Sequence, residues 1–172
     1  MNAYKQAILE QMELFAKDPK VIFLGQQVAS ESFYGTLETI PLDRRIEMPV
    51  AEELQMGMSI GLSLMGYLPI SIYQRMDFLP RAMDQIVNHL NLLEESSRGM
   101  YKPRVIIRTT IGTKSPMDVG PQHSQDLTEL MKYACKFLVL APETAYDIHH
   151  SYNLARKLTK SILIVEKQEL YK

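Results

Sequence analysis

A chain of 172 residues with 19 basic and 20 acidic side chains is close to electroneutral, which leaves no electrostatic footprint for a nucleic-acid backbone. No apolar run approaches the roughly 20 residues of a membrane span, and a single cysteine, Cys135, excludes an internal disulfide and fits a reducing, cytoplasmic setting. At this size residues 1–172 form one domain that buries about 70% of its unfolded surface without a disulfide or metal staple.

Residues 4–15 carry Ala7, Ile8, Met12 and Phe15 at helical spacing, and their scattered charge lacks the basic head and apolar core of a signal peptide. Asp18 and Pro19 stop this helix. Residues 21–24 are a short continuous apolar run, the pattern of a strand buried on both faces of a parallel sheet. The polar stretch 26–47, with Gly35 and Pro41, reads as a long loop. Pro49 then marks an extended entry to a helix beginning at Ala51 or Glu52. Leu54, Met58, Gly61, Leu62 and Met65 recur at spacings of three and four and predict a buried face. Gly57 and Gly61 each cost about 1 kcal/mol of helix propensity relative to alanine, which points to close backbone approach by another helix or subunit.

A second strand is predicted over 69–74, an amphipathic helix over 81–93, a charged loop over 94–103 and a third strand over 104–108. Residues 109–123 hold two glycines, two prolines and no period. A short helix over 126–132 is capped by Ser124, and strand 137–141, helix 143–158 and strand 162–165 complete the chain. Five apolar strands interleaved with helices define a three-layer α/β/α domain with a mainly parallel sheet and right-handed crossovers.

Chemistry concentrates at strand ends and helix starts. Glu52 and Glu53 occupy the first turn of the central helix, where the dipole favours negative charge. A carboxylate leading into so apolar a helix is partly desolvated and needs a hydrogen-bond partner. The turn from Gln74 to Phe78 leaves the second strand at its carboxyl end, where ligands sit in open parallel sheets. Among four histidines, His123 in GPQHSQ alone lies in a Gly/Pro-ordered loop. His89 sits among polar helical neighbours, and the adjacent His149 and His150 point about 100° apart, so they form no metal pair on one face. No spacing yields a metal site. Neither GxGxxG nor GxxxxGKS occurs, so any diphosphate has to be held by another chain.

Taken together, MPVAEELQMGMSIGLSLMG, the helix FLPRAMDQIVNH, RVIIRTTIG, GPQHSQ and the terminal IVEKQELY resemble the pyrimidine-binding domain of transketolase-type thiamine diphosphate enzymes. The likeness is strongest to the amino-terminal half of the beta subunit of the 2-oxoacid dehydrogenase decarboxylase component. It covers nearly the whole chain, in the same order and spacing. The resemblance implies that Glu52, or Glu53 if the register slips by one, hydrogen-bonds the aminopyrimidine ring nitrogen of thiamine diphosphate and shares a proton there. It implies that Phe78 stacks on that ring, that Gln74 lines the pocket, and that His123 serves proton transfer or substrate carboxylate binding. Diphosphate and Mg2+ fall to an alpha-type subunit, with self-association giving a heterotetramer acting on a small-molecule 2-oxoacid. A split transketolase, an acyloin synthase, and a non-catalytic partner-binding remnant remain as alternatives.

The chain departs from the resembled pattern in several places. Gln26 and Gln27 follow Gly25 where an acid is usual, and Thr110 stands where a proline is usual. Lys114, Ser115, Met117 and Asp118 replace loop glycines, so a monovalent-cation site is not expected there. The family's second α/β domain is not among these residues, so membership of a multienzyme complex is not carried over.

Overall fold

The computed structural model describes residues 2–114 and 118–172; Ser115 and Met117 lie outside the described residues. Six parallel strands form one sheet in the order β2-β1-β3-β4-β6-β5. They are β1 (Val21–Gly25), β2 (Arg45–Glu47), β3 (Leu68–Tyr73), β4 (Ile106–Ile111), β5 (Leu138–Leu140) and β6 (Ile162–Lys167). Five of these are the expected strands, shifted by one to three residues, and the sheet is wholly rather than mainly parallel. The sixth, β2, lies in the segment expected to be loop. Its three residues carry no apolar run; arginines hold them in place. Arg44 donates to the carbonyls of Asp18 and Val21, and Arg45 donates to the Val28 carbonyl and to Ser32 Oγ.

Strand alternation sorts the core into two layers. Ile70, Ile72, Ile106, Ile162 and Ile164 point to one face, where the first helix (Ala3–Ala16) and the last (Ala145–Lys157) cover them with Ile8, Met12, Phe15, Ile148 and Tyr152. Tyr73, Ile107, Leu163 and Val165 point to the other, beneath the central helix (Glu52–Leu64), the segment after β3, and the helix Thr128–Ala134. Both outer helices of the first layer start on side-chain caps. Asn2 accepts from the Tyr4 amide, and Thr144 and Asp147 form a reciprocal capping box.

Two elements differ from the sequence reading in a way that shapes the site. The amphipathic helix expected over 81–93 is instead a 3-10 strap, Met76–Ala82, followed by a π-helical turn, Gln85–Leu90. Met76, Leu79 and Ala82 are all fully buried, a period of three that 3-10 geometry places on one ridge. The central helix does begin at Glu52, but it turns its predicted apolar stripe away from the sheet. Leu54 and Met65 are 53% and 78% exposed, whereas the face against β3 is Gln55, Met56, Ser59 and Ile60. Gln55 satisfies its buried amide on Ser71 Oγ and the Ile72 carbonyl, and Ser59 bonds back to the Gln55 carbonyl. Gly57 and Gly61 face outward with it. A Cβ at Gly61 would meet nothing within 4 Å, and one at Gly57 only the Gln85 side chain.

Candidate functional site

The carboxyl ends of β1, β3 and β4 converge beside the mouth of the central helix. Glu52 sits there in the first turn and is only 3% exposed. Its Oε1 accepts from Gln26 Nε2 at 3.3 Å, a long bond, and the Tyr73 hydroxyl donates to its backbone carbonyl at 3.2 Å. Burial, with the Glu52 charge adding to it, holds that phenol well above its ordinary range, so it stays a donor. Oε2 is fully buried and accepts no hydrogen bond, although Arg81 Nε lies 3.2 Å away as its counter-charge. Glu53, the neighbour one residue on, is exposed, so Glu52 is the buried acid of the two.

A cleft of about 560 Å³ opens over Glu52, lined also by Leu54, Gly57, Met58, Arg81 and Gln85. A Cβ at Gly57 would approach the Gln85 amide. The strap carries the rest of the site. In a 3-10 helix residues three apart eclipse, so Phe78 lies in register with Arg81 and extends the same ridge toward His123. The Phe78 and His123 rings meet edge to face, centroids 5.7 Å apart. Asp77 fixes the loop after His123 by accepting from the amide and side chain of Gln125, each at 3.1 Å.

Gly112 is what lets that loop close over β4. A Cβ there would stand 1.9 Å from the His123 carbonyl oxygen and 2.5 Å from Arg75 Nη1. Arg75 itself bridges the His123 carbonyl and Gln168 Oε1. Thr110, in the position where proline was expected, donates Oγ1 to the Gln74 carbonyl at 2.6 Å and ties the ends of β3 and β4. The Gln74 side chain pairs with the Gln27 amide and does not line the Glu52 cleft. Among the described residues, then, the structure gathers Gln26, Glu52 and Arg81 at one end of the ridge and Phe78, His123 and Arg75 at the other. Sequence reading named neither Gln26 nor Arg81 as a site residue, and Arg75 only within the turn 74–78. For Gln26 a signal existed, since an amide in place of an acid beside a buried carboxylate is a donor in waiting.

The remaining histidines have local partners: His89 with Asp84, His149 with Gln11 and Glu10, and His150 stacked on Tyr146. Among the described residues no three His, Cys, Asp or Glu side chains converge to hold a metal ion, and no helix is long and apolar enough to cross a membrane.

A doubly wound parallel sheet with a buried acid opening a helix at the strand ends defines an open-sheet α/β domain whose candidate site lies outside the strands' carboxyl ends. The chain matches the family described as transketolase, pyrimidine binding domain, over residues 2–172, and it belongs to that family. It is 29% identical, over 99% of its length, to the pyruvate dehydrogenase E1 component subunit beta of Rickettsia bellii. It is 30% identical to that of Cyanidium caldarium and 26% identical to the 3-methyl-2-oxobutanoate dehydrogenase subunit beta of Mycobacterium tuberculosis. The chain spans about half the length of these relatives, covering 52%, 50% and 49% of them. Among solved structures it superposes on a split-gene transketolase titled an inactive beta4 tetramer, with TM-score 0.69, 22% identity and coverage of 96% of this chain and 50% of that one.

Proposed function

We propose that this chain is the pyrimidine-domain subunit of a split thiamine diphosphate-dependent enzyme acting on a 2-oxoacid, completed by an alpha-type subunit that binds diphosphate and Mg2+. The observation that carries the reading is the buried Glu52 carboxylate whose Oε2 has no hydrogen-bond donor. A buried acceptor left unmet costs about 1–3 kcal/mol, and a ring nitrogen that has taken up a proton would meet it from the adjoining cleft. The site residues fit the cofactor's pyrimidine half. Glu52 would hold the aminopyrimidine ring nitrogen and share a proton with it, with Gln26 steadying the other carboxylate oxygen. Phe78 would cover the ring and keep water out. His123, poised against Phe78, would transfer a proton at the substrate or bind its carboxylate. Gln74, bonded to Gln27, would shape the wall behind Gln26. When bound, the cofactor supplies the carbanion chemistry of 2-oxoacid decarboxylation, and the protein supplies position and electrostatics.

The outward stripe of the central helix is the natural seat for neighbouring subunits. Val50, Leu54 and Met65 are 79%, 53% and 78% exposed, and they flank Gly57 and Gly61, which admit close backbone approach. The split transketolase of the same fold is itself a beta-chain tetramer, in keeping with self-association, and a cytoplasmic heterotetramer is the assembly proposed. The test is a calorimetric titration of thiamine diphosphate with Mg2+ against the chain alone, the chain with its alpha-type partner, and the mixture carrying Glu52→Ala. Micromolar binding, about −8 kcal/mol, is expected in the mixture alone and is weakened by the substitution. A well-folded complex that binds no cofactor would overturn the reading.

A further inference from the structure

We propose that Arg81 is an occupancy gate on Glu52: its guanidinium and the cofactor's pyrimidine nitrogen compete for the same carboxylate oxygen. The inference rests on the proposed cofactor site and adds a residue to it.

The asymmetry of the pair carries the argument. Glu52 is 3% exposed and Arg81 is 74% exposed, so the acid is locked in the fold while the base reaches in from solvent across the mouth of the cleft. Arg81 is the cation paired with Glu52 among the described residues. The other groups facing this carboxylate are the Gln26 amide, the Tyr73 hydroxyl on its backbone carbonyl, and Gln85 across the cleft. Arg81 Nε stands 3.2 Å from Oε2, yet its N–H is not aimed along a hydrogen-bond direction. It therefore supplies charge without satisfying the acceptor. A ring nitrogen that carries the shared proton is an aligned N–H donor and offers what Arg81 does not, a directed hydrogen bond to Oε2.

The strap makes displacement cheap. Arg81 follows Pro80, itself exposed, in the 3-10 segment whose inner ridge of Met76, Leu79 and Ala82 is buried, so its side chain can swing into solvent without moving the backbone. Ring entry would then trade an ion pair whose base is largely solvated and poorly aligned for a desolvated, directed hydrogen bond. Arg81 also neutralises Glu52 while the cleft is empty, which spares the free subunit an uncompensated buried charge. The gate thus stabilises the vacant chain and weakens cofactor binding by the same contact.

Two measurements test this. On the free chain, urea unfolding of Arg81→Gln, Glu52→Gln and the double variant forms a cycle. Arg81→Gln is expected to destabilise the chain only while Glu52 is present, and additive effects would overturn the gate. On the complex with the diphosphate-binding subunit, the Kd for thiamine diphosphate with Mg2+ is read by calorimetry. Arg81→Gln is expected to tighten it about three- to tenfold, and Arg81→Lys to return it toward the starting value. An unchanged or weaker Kd in Arg81→Gln, with Glu52→Gln abolishing binding, removes the gate and leaves the cofactor site standing. Failure of the unsubstituted complex to bind the cofactor removes both.

Discussion

Arg108 and Glu166 face each other across β4 and β6 on the layer opposite the candidate site, and both are fully buried. The pair is bidentate: Arg108 Nε and Nη2 each lie 2.9 Å from a Glu166 oxygen. The hydroxyls of Tyr152 and Tyr171 donate to the same carboxylate, and the guanidinium lies over the Phe33 ring at 4.8 Å. Burial, then the Glu166 charge, holds both phenols far above their ordinary range, so they remain donors at any working pH. Glu166→Gln keeps the shape but removes the charge. A single amide oxygen cannot accept from Nε, Nη2 and two phenols, and its NH2 group would face a guanidinium whose Nη1 already lacks a partner. Breaking a buried pair in this way costs about 3–5 kcal/mol. At about 2–4 °C per kcal/mol for a chain of this size, the melting point should fall by roughly 6–20 °C. Urea unfolding followed by circular dichroism at pH 7 measures it, with the transition slope checked for constancy. A loss under about 1 kcal/mol would refute the reasoning. Arg108→Met combined with Glu166→Leu should recover only part of the loss, because two buried hydroxyls still lack an acceptor, each worth about 1–3 kcal/mol.

Four further outcomes follow from the structure. Gly112→Ala drives a methyl group into the His123 carbonyl; the loop must move, costing about 1–3 kcal/mol and shifting the His123 ring resonances in an NMR spectrum, whereas unchanged resonances would show the loop adapts. Thr144→Ala removes the capping box of the last helix and should lower stability by about 0.5–2 kcal/mol in the same urea assay. Burial pushes the Cys135 thiol up to about 11, so a disulfide reagent at pH 8 should label the native chain far more slowly than the urea-unfolded one; equal rates would contradict its burial. Burial works against the Glu47 carboxylate, but the amides of Ala29, Ser30 and Gln27 outweigh it and hold its pKa below the ordinary value. Its contribution is therefore present above the unfolded carboxylate range and lost as pH falls through the lowered folded value. Glu47→Gln should destabilise the chain at pH 7 by on the order of 1 kcal/mol, given its exposure, and have no effect at a pH below that folded value.

The outcome at Glu52 shows how sequence and structure divide the work. Pro49 and the apolar run after it located the helix start, and Glu52 is where the helix begins. Alternating apolar runs and Gly/Pro punctuation are local signals, so the α/β class, five of the six strands and the ordered set of motifs were all legible. Periodicity reports that a helix has an apolar stripe but says nothing about what covers it. On the central helix the stripe of Leu54, Met58 and Met65 was read as core, yet the sheet is met by Gln55 and Ser59, because β3 offers Ser71 and a free carbonyl to satisfy them.

What escaped the sequence was decided by contacts between distant residues. Strand β2 exists because Arg44 and Arg45 reach carbonyls around 20 residues upstream, and the strap winds as 3-10 because its inner ridge packs under the central helix. Gln26 and Arg81 reach Glu52 from 26 residues before it and 29 after, and Phe78 meets His123 across 45. Fold class and the acid at the helix mouth are legible along the chain, because both depend on near neighbours in sequence. The partners of that acid and the outward face of its helix come from folding, because hydrogen bonds and ion pairs between residues far apart in sequence leave no local periodicity to read.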